Sequence, residues 1–137
     1  MSKAIMAGAA LLCAGIGVQP AYPQMAADVQ FRPGDYGTML SGTVVGDGYF
    51  DYRLGAKAGQ ELFAELAVTS TDGNGTAYFN VLPPGSDGVA IYNGSTYGNA
   101  ATVPLPEDGT YTIRVYLMGD DRDTGKTVGY DLDVSIQ

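Results

Sequence analysis

Residues 111–117 read YTIRVYL and residues 130–136 read YDLDVSI, and the alternation within these two stretches decides the fold class. Tyr111, Ile113, Val115 and Leu117 fall on one side, with Thr112, Arg114 and Tyr116 on the other. Tyr130, Leu132, Val134 and Ile136 oppose Asp131, Asp133 and Ser135 in the same way. A repeat of two is the side-chain period of a strand with one buried face. Wound as a helix, the second stretch would scatter its aspartates around the surface. The polar segment GDDRDTGK at 119–126, with a glycine near each end, predicts a long-looped hairpin joining the two strands.

Working outward, Gln60–Thr69 is ambiguous by propensity, because QELFAELA consists of helix formers. Ala58-Gly59 before it and TSTDGNG after it mark a strand between turns instead. Further strands are expected at Val29–Arg32, Thr38–Val45, Tyr49–Leu54, Thr76–Leu82, Val89–Tyr92 and Thr102–Leu105, separated by Pro-Gly, Asp-Gly and Asn-Gly turn signals. Many short strands and no amphipathic helix predict an all-β, antiparallel β-sandwich of eight or nine strands, with the jelly roll as its candidate topology. Tyr52, Tyr78, Tyr111 and Tyr130 fall where a core tyrosine would sit. Tyr92, Tyr97 and Tyr116 fall on outer faces or in a loop, where exposed tyrosines serve contact.

The chain has 137 residues, enough for one domain, and no histidine. Serine–histidine and cysteine–histidine nucleophile pairs and histidine-ligated zinc are therefore excluded within this chain. Seven basic residues stand against fifteen acidic ones, for a net charge of −8. That sign is wrong for gripping a phosphate backbone or an anionic membrane surface, so no nucleic-acid partner is expected. Asp47 and Asp51 lie close in sequence but on an adjoining turn and strand, without the apolar setting that an acid–base pair requires, so no enzymatic activity is expected.

The N-terminus reads differently from the rest. Ala4–Val18 is a run of fifteen small and apolar residues behind Lys3, closed by Gln19-Pro20. It is too short to span a bilayer as a helix and fits a secretory signal. The expected division is a signal peptide over 1–27, cut between 21 and 27, followed by a single β-sandwich domain over 28–137. Periplasmic or secreted localisation follows, with no stable membrane insertion after cleavage. Cys13 lies inside the signal, so the domain contains no cysteine and relies on core burial alone. Removal of Lys3 leaves a net charge of −9.

Several marks along the domain carry a family resemblance. They are Phe31-Arg32-Pro33-Gly34, Ser41-Gly42 followed by Gly46, Tyr52 leading to Ala58-Gly59-Gln60, Leu105-Pro106 with Gly109 and Tyr111, the Arg114-Val115 step, Lys126-Thr127, and Tyr130 ahead of Asp133-Val134-Ser135-Ile136. In this order they resemble the periplasmic inhibitors of g-type lysozyme and the related bacterial pre-peptidase C-terminal-like domains. The resemblance implies a non-enzymatic protein that binds a protein partner, a g-type lysozyme, through loops at one end of the sandwich. It implies an aromatic near the Gly46 turn and arginines in the loop before the last strand. Here those positions hold Asp47 and Tyr49, then Arg122 and Lys126, and Arg122 stands among Asp120, Asp121 and Asp123 where the inhibitors are more basic.

An alternative reading is a calcium-stabilised or carbohydrate-associated accessory domain of the pre-peptidase type. Asp120, Asp121 and Asp123 form one oxygen-rich turn, and Asp72 and Asn74 belong to a second. Calcium takes six to eight oxygens, which side chains and carbonyls of such loops can supply, although neither turn completes the EF-hand pattern. No other cofactor is expected.

Overall fold

The structure is a computed structural model that describes residues 24–137. The apolar run and nearly all of the segment read as a signal peptide lie outside the described residues. Among the described residues, nine strands form two sheets. In chain order they are β1 (Gln24–Asp28), β2 (Gly37–Val45), β3 (Tyr49–Ala56), β4 (Glu61–Thr71), β5 (Ala77–Leu82), β6 (Tyr92–Asn93), β7 (Ala100–Pro104), β8 (Gly109–Leu117) and β9 (Thr127–Ile136). Two single-turn helices interrupt them, α1 (Gly94–Tyr97) and α2 (Gly119–Asp123). One sheet has the order β1-β3-β8-β5-β6 and the other β2-β9-β4-β7. Setting β1 aside, this is the strand order of a jelly roll, so the expected sandwich and its topology both hold.

The alternating stretches behave as their sequence demands. Tyr111, Ile113, Val115 and Leu117 of β8 and Val128, Tyr130, Leu132, Val134 and Ile136 of β9 are all buried, and they meet Tyr52, Leu54, Phe79 and Val81 in one core. β4 is a strand despite its helix-forming composition, with Leu62, Ala64 and Leu66 buried. It lies between β9 and β7, and pairing on both sides outweighs a local preference of a few tenths of a kcal/mol per residue.

Four expectations are corrected. β8 and β9 do not form a hairpin: β8 pairs with β3 and β5, while β9 pairs with β2 and β4. Each carries a fully apolar face, and placing them in opposite sheets lets the two faces pack on each other across the core. The first strand is Gln24–Asp28, parallel to β3, rather than Val29–Arg32. Val29 and Phe31 still pack against the core, but as irregular chain after that strand. The stretch Val89–Tyr92 shrinks to the two residues of β6, because Val89 is 79% exposed and pairing with β5 begins only near Ile91. Among the tyrosines, Tyr52, Tyr111 and Tyr130 are in the core, whereas Tyr78 lies half-buried on the outer face.

Alternation between the sheets gathers four connections at one end of the sandwich: β2–β3, β4–β5, β6–β7 and β8–β9. The candidate site residues belong to these connections or to the strand ends beside them.

Candidate functional site

The β2–β3 turn is Gly46-Asp47-Gly48. Gly46 adopts a left-handed backbone (φ 57°), and the Gly48 N–H donates to the Val45 carbonyl at 3.0 Å. This tight arch exposes Asp47 at its tip. The Gly46 N–H donates to the Lys126 carbonyl at 2.9 Å, which pins the arch to the β8–β9 loop. Asp47 and Arg122 thereby line one open cleft together with Asp123, Thr124 and Gly125. Arg122 has 58% of its side chain exposed, and its nearest carboxylate, Asp123, stands 3.9 Å away.

Two other sequence-selected residues lie elsewhere. Tyr49 opens β3 and holds the Arg114 guanidinium 4.0 Å above its ring centroid. Lys126 is half-buried, its alkyl stem so close to Gly73 of the β4–β5 loop that a Cβ there would meet Lys126 Cγ at 2.8 Å. The loop end thus brings Asp47 and Arg122 together, directs Tyr49 towards the outer face of the sheet and uses Lys126 partly as packing.

The two oxygen-rich turns do meet in space, through Asp121. This is the buried charged residue among those described, at 1% exposure. Its Oδ1 accepts from the Asn74 N–H at 2.8 Å and its Oδ2 from the Thr76 N–H at 2.7 Å. Backbone donors from Asn74 and Thr76 hold its carboxyl below the usual aspartate range, because they stabilise the charged form. Gly73 is required beside it, since a Cβ there would lie 2.3 Å from Asp121 Oδ1. Asp72 Oδ1 accepts from the Thr127 N–H at 2.8 Å. Both aspartates therefore act as backbone acceptors that lock the β4–β5 and β8–β9 loops together. Asp120 and Asp123 remain exposed, and the Asp120 carbonyl accepts from the Thr124 N–H. Among the described residues, no group of three or more acidic, cysteine or histidine side chains is arranged to hold a metal ion.

Sequence reasoning missed the composition of the neighbouring sheet face. Strand register sets Tyr49, Tyr116 and Tyr78 side by side across β3, β8 and β5, followed by a row of Asp51, Arg114, Asn80 and Asn93. Arg114 and Asp51 form a bidentate pair, Nε to Oδ1 at 2.8 Å and Nη2 to Oδ2 at 2.9 Å. That pairing raises the Arg114 pKa further, because the carboxylate stabilises the charged guanidinium. Alternation placed Arg114 and Tyr116 on an outer face, but a single strand carries no information about which residues its neighbours set beside them.

Fold and site together define a small jelly-roll protein whose candidate contact groups stand on tied loops at one end and on the adjoining sheet face. Neither a family model nor a curated protein sequence matches the chain. Among solved structures, it is similar to the Aeromonas hydrophila periplasmic inhibitor of g-type lysozyme, with 32% identity over 83% of this chain and 98% of that one and a TM-score of 0.73. A mutant of the Escherichia coli inhibitor follows at 28% identity, 84% and 100% coverage and a TM-score of 0.66. The Salmonella Typhimurium inhibitor matches in fold, at 22% identity over 84% and 100% of the two chains, with a TM-score of 0.65. The chain belongs to the family of periplasmic inhibitors of g-type lysozyme. Its place is the periplasm, as theirs is, and these neighbours are inhibitors rather than enzymes.

Proposed function

We propose that this protein binds and inhibits a g-type lysozyme with the loop end of its sandwich, acting without catalysis of its own. The observation that carries the reading is the Gly46–Lys126 backbone bond. It fixes the β2–β3 arch against the β8–β9 loop, so that Arg122 projects from a preformed surface rather than from a loop that must order on binding. Preorganisation of this kind lowers the entropic cost of association. The chain's surplus of acids supports the same partner class, because a cationic enzyme would be steered towards it, with a larger effect on association rate than on final affinity.

The test is a cell-wall lysis assay with a g-type lysozyme. Wild-type protein at micromolar concentration is expected to suppress lysis, and Arg122→Ala to weaken that suppression about tenfold, the loss of one well-placed contact of ~1.4 kcal/mol. A folded wild-type protein that leaves the enzyme untouched overturns the proposal. Equal inhibition by wild type and Arg122→Ala would move the contact away from this cleft.

A further inference from the structure

A second groove runs along the outer face of the β3-β8-β5-β6 sheet beside α1. Asn80, Asn93, Ser95, Arg114, Tyr116 and Arg122 supply its polar and aromatic lining, over a volume of about 410 Å³. We propose that this groove binds a carboxylate-bearing, N-acetylated oligosaccharide, an activity separate from enzyme inhibition.

Three observations point to that ligand class. The first is the fixed orientation of two carboxamides. The Gly94 N–H donates to Asn80 Oδ1 and the Ser95 N–H to Asn93 Oδ1, each at 3.2 Å. A backbone N–H can only donate, so both acceptor ends are committed to the protein and both NH₂ groups are turned away from those donors, with no hydrogen-bond partner among the described residues. The Tyr116 hydroxyl also donates to Asn80 Oδ1, at 2.8 Å, which leaves its lone pairs available. Two amide donors and a phenolic acceptor on a rigid sheet suit the acetamido carbonyls and hydroxyls of a sugar.

The second observation is the aromatic surface. Tyr116 lines the groove, and Tyr78 lies beside it with ring centroids 6.3 Å apart and the two rings tilted by 43°. The apolar face of a pyranose packs on a tyrosine ring of this kind while its equatorial hydroxyls reach the polar row beside it.

The third is charge. The chain carries fifteen acids and seven bases, yet two arginines and no carboxylate line this groove. Asp51 neutralises Arg114 through two short hydrogen bonds, whereas Arg122 is 58% exposed and its carboxylate neighbour Asp123 stands 3.9 Å away, so Arg122 supplies the more accessible positive charge at the rim. An exposed guanidinium held only loosely by its neighbour is matched by a carboxylate. The occupant is therefore an acidic sugar rather than a neutral one.

The probes are the N-acetylglucosamine–N-acetylmuramic acid disaccharide and its neutral counterpart, di-N-acetylchitobiose, titrated into isotopically labelled protein. The acidic disaccharide is expected to bind with a Kd on the order of 1 mM, shifting the amides of Asn80, Ser95 and Tyr116, and the neutral one about tenfold more weakly. Asn80→Ala with Asn93→Ala is expected to weaken binding at least tenfold, and Arg122→Gln to remove the preference for the acid. No saturable shift up to ~10 mM, or shifts on another face, overturns the proposal. Equal affinity for both sugars overturns the role given to Arg122. Lysis inhibition is read separately, so failure of either proposal is distinguishable from failure of the other.

Discussion

Gly42 sits in the middle of β2, opposite Tyr130 of β9, and the core beneath it is closed by two phenols whose hydroxyls lie 2.7 Å apart, those of Tyr52 and Tyr130. A Cβ on residue 42 would fall 2.5 Å from Tyr130 Oη and 2.8 Å from Tyr52 Oη. Neither ring can retreat without moving the sheet, because both tyrosines are almost fully buried. Gly42→Ala should therefore cost about 1–3 kcal/mol of overpacking, and about 1 kcal/mol more if the phenol pair separates. A total of ~2–4 kcal/mol corresponds to a fall in melting temperature of roughly 8–16 °C for a domain of this size. Tyr130→Phe alone should cost ~1–2 kcal/mol, because it leaves the Tyr52 hydroxyl buried without its partner. The double variant removes the nearer of the two oxygens that the new methyl would strike, so its cost should fall short of the sum by ~1 kcal/mol. Urea unfolding followed by circular dichroism, with m unchanged across the series, measures all three. Strict additivity, or a Gly42→Ala protein within ~0.5 kcal/mol of wild type, would refute the packing argument and with it the physical reason for glycine after Ser41.

Arg114→Ala should destabilise by about 1–3 kcal/mol, between the values for exposed and buried pairs, because Arg114 and Asp51 retain 22% and 16% side-chain exposure; Asp51→Asn together with Arg114→Ala should recover part of that loss in the same unfolding assay. Asp121→Asn should lower the melting temperature at neutral pH, since an amide can accept only one of the two backbone bonds. The Asp121 pKa is depressed in the fold, so its stabilisation is complete above the ordinary aspartate value and fades as pH falls through the range below it. The gap between wild type and Asp121→Asn should accordingly close on acidification, and a gap independent of pH would contradict the clamp. Calcium and chelator should leave the wild-type melting temperature unchanged, because Asp121 and Asp72 already accept backbone hydrogen bonds; a calcium-dependent rise would return Asp120, Asp123 and Asn74 to the role of ligands.

The fold was legible in β8 and β9 because their alternation is strict and their inward residues all reach the core. The partnership between them was not, since a period of two records that a strand has one buried face and says nothing about which sheet it joins. The same limit hid the groove. Asn80 and Asn93 stand beside Arg114 only through pairings of β5 with β8 and β6, and no local pattern marks either asparagine as different from a solvated one. Turn chemistry had a similar double meaning at Asp72-Gly73-Asn74-Gly75. Its oxygens read as ligands for a cation, whereas the fold uses the N–H groups of that loop to hold Asp121.

That clamp changes what a partner meets at the loop end. Read along the chain, the last loop offers Asp120, Asp121 and Asp123 against Arg122. In the structure Asp121 is buried against two N–H groups, so its field is largely compensated inside the protein. The exposed charges of the loop reduce to Arg122 between Asp120 and Asp123, with Asp47 across the cleft. The buried acid also tethers the loop that presents Arg122, through Asn74 and Thr76, to the start of β5, while Gly46 tethers it to the end of β2. An aspartate that counts against basic recognition in the sequence thus helps hold the guanidinium in place, and sequence charge alone overstates how repulsive this surface is to an acidic cleft.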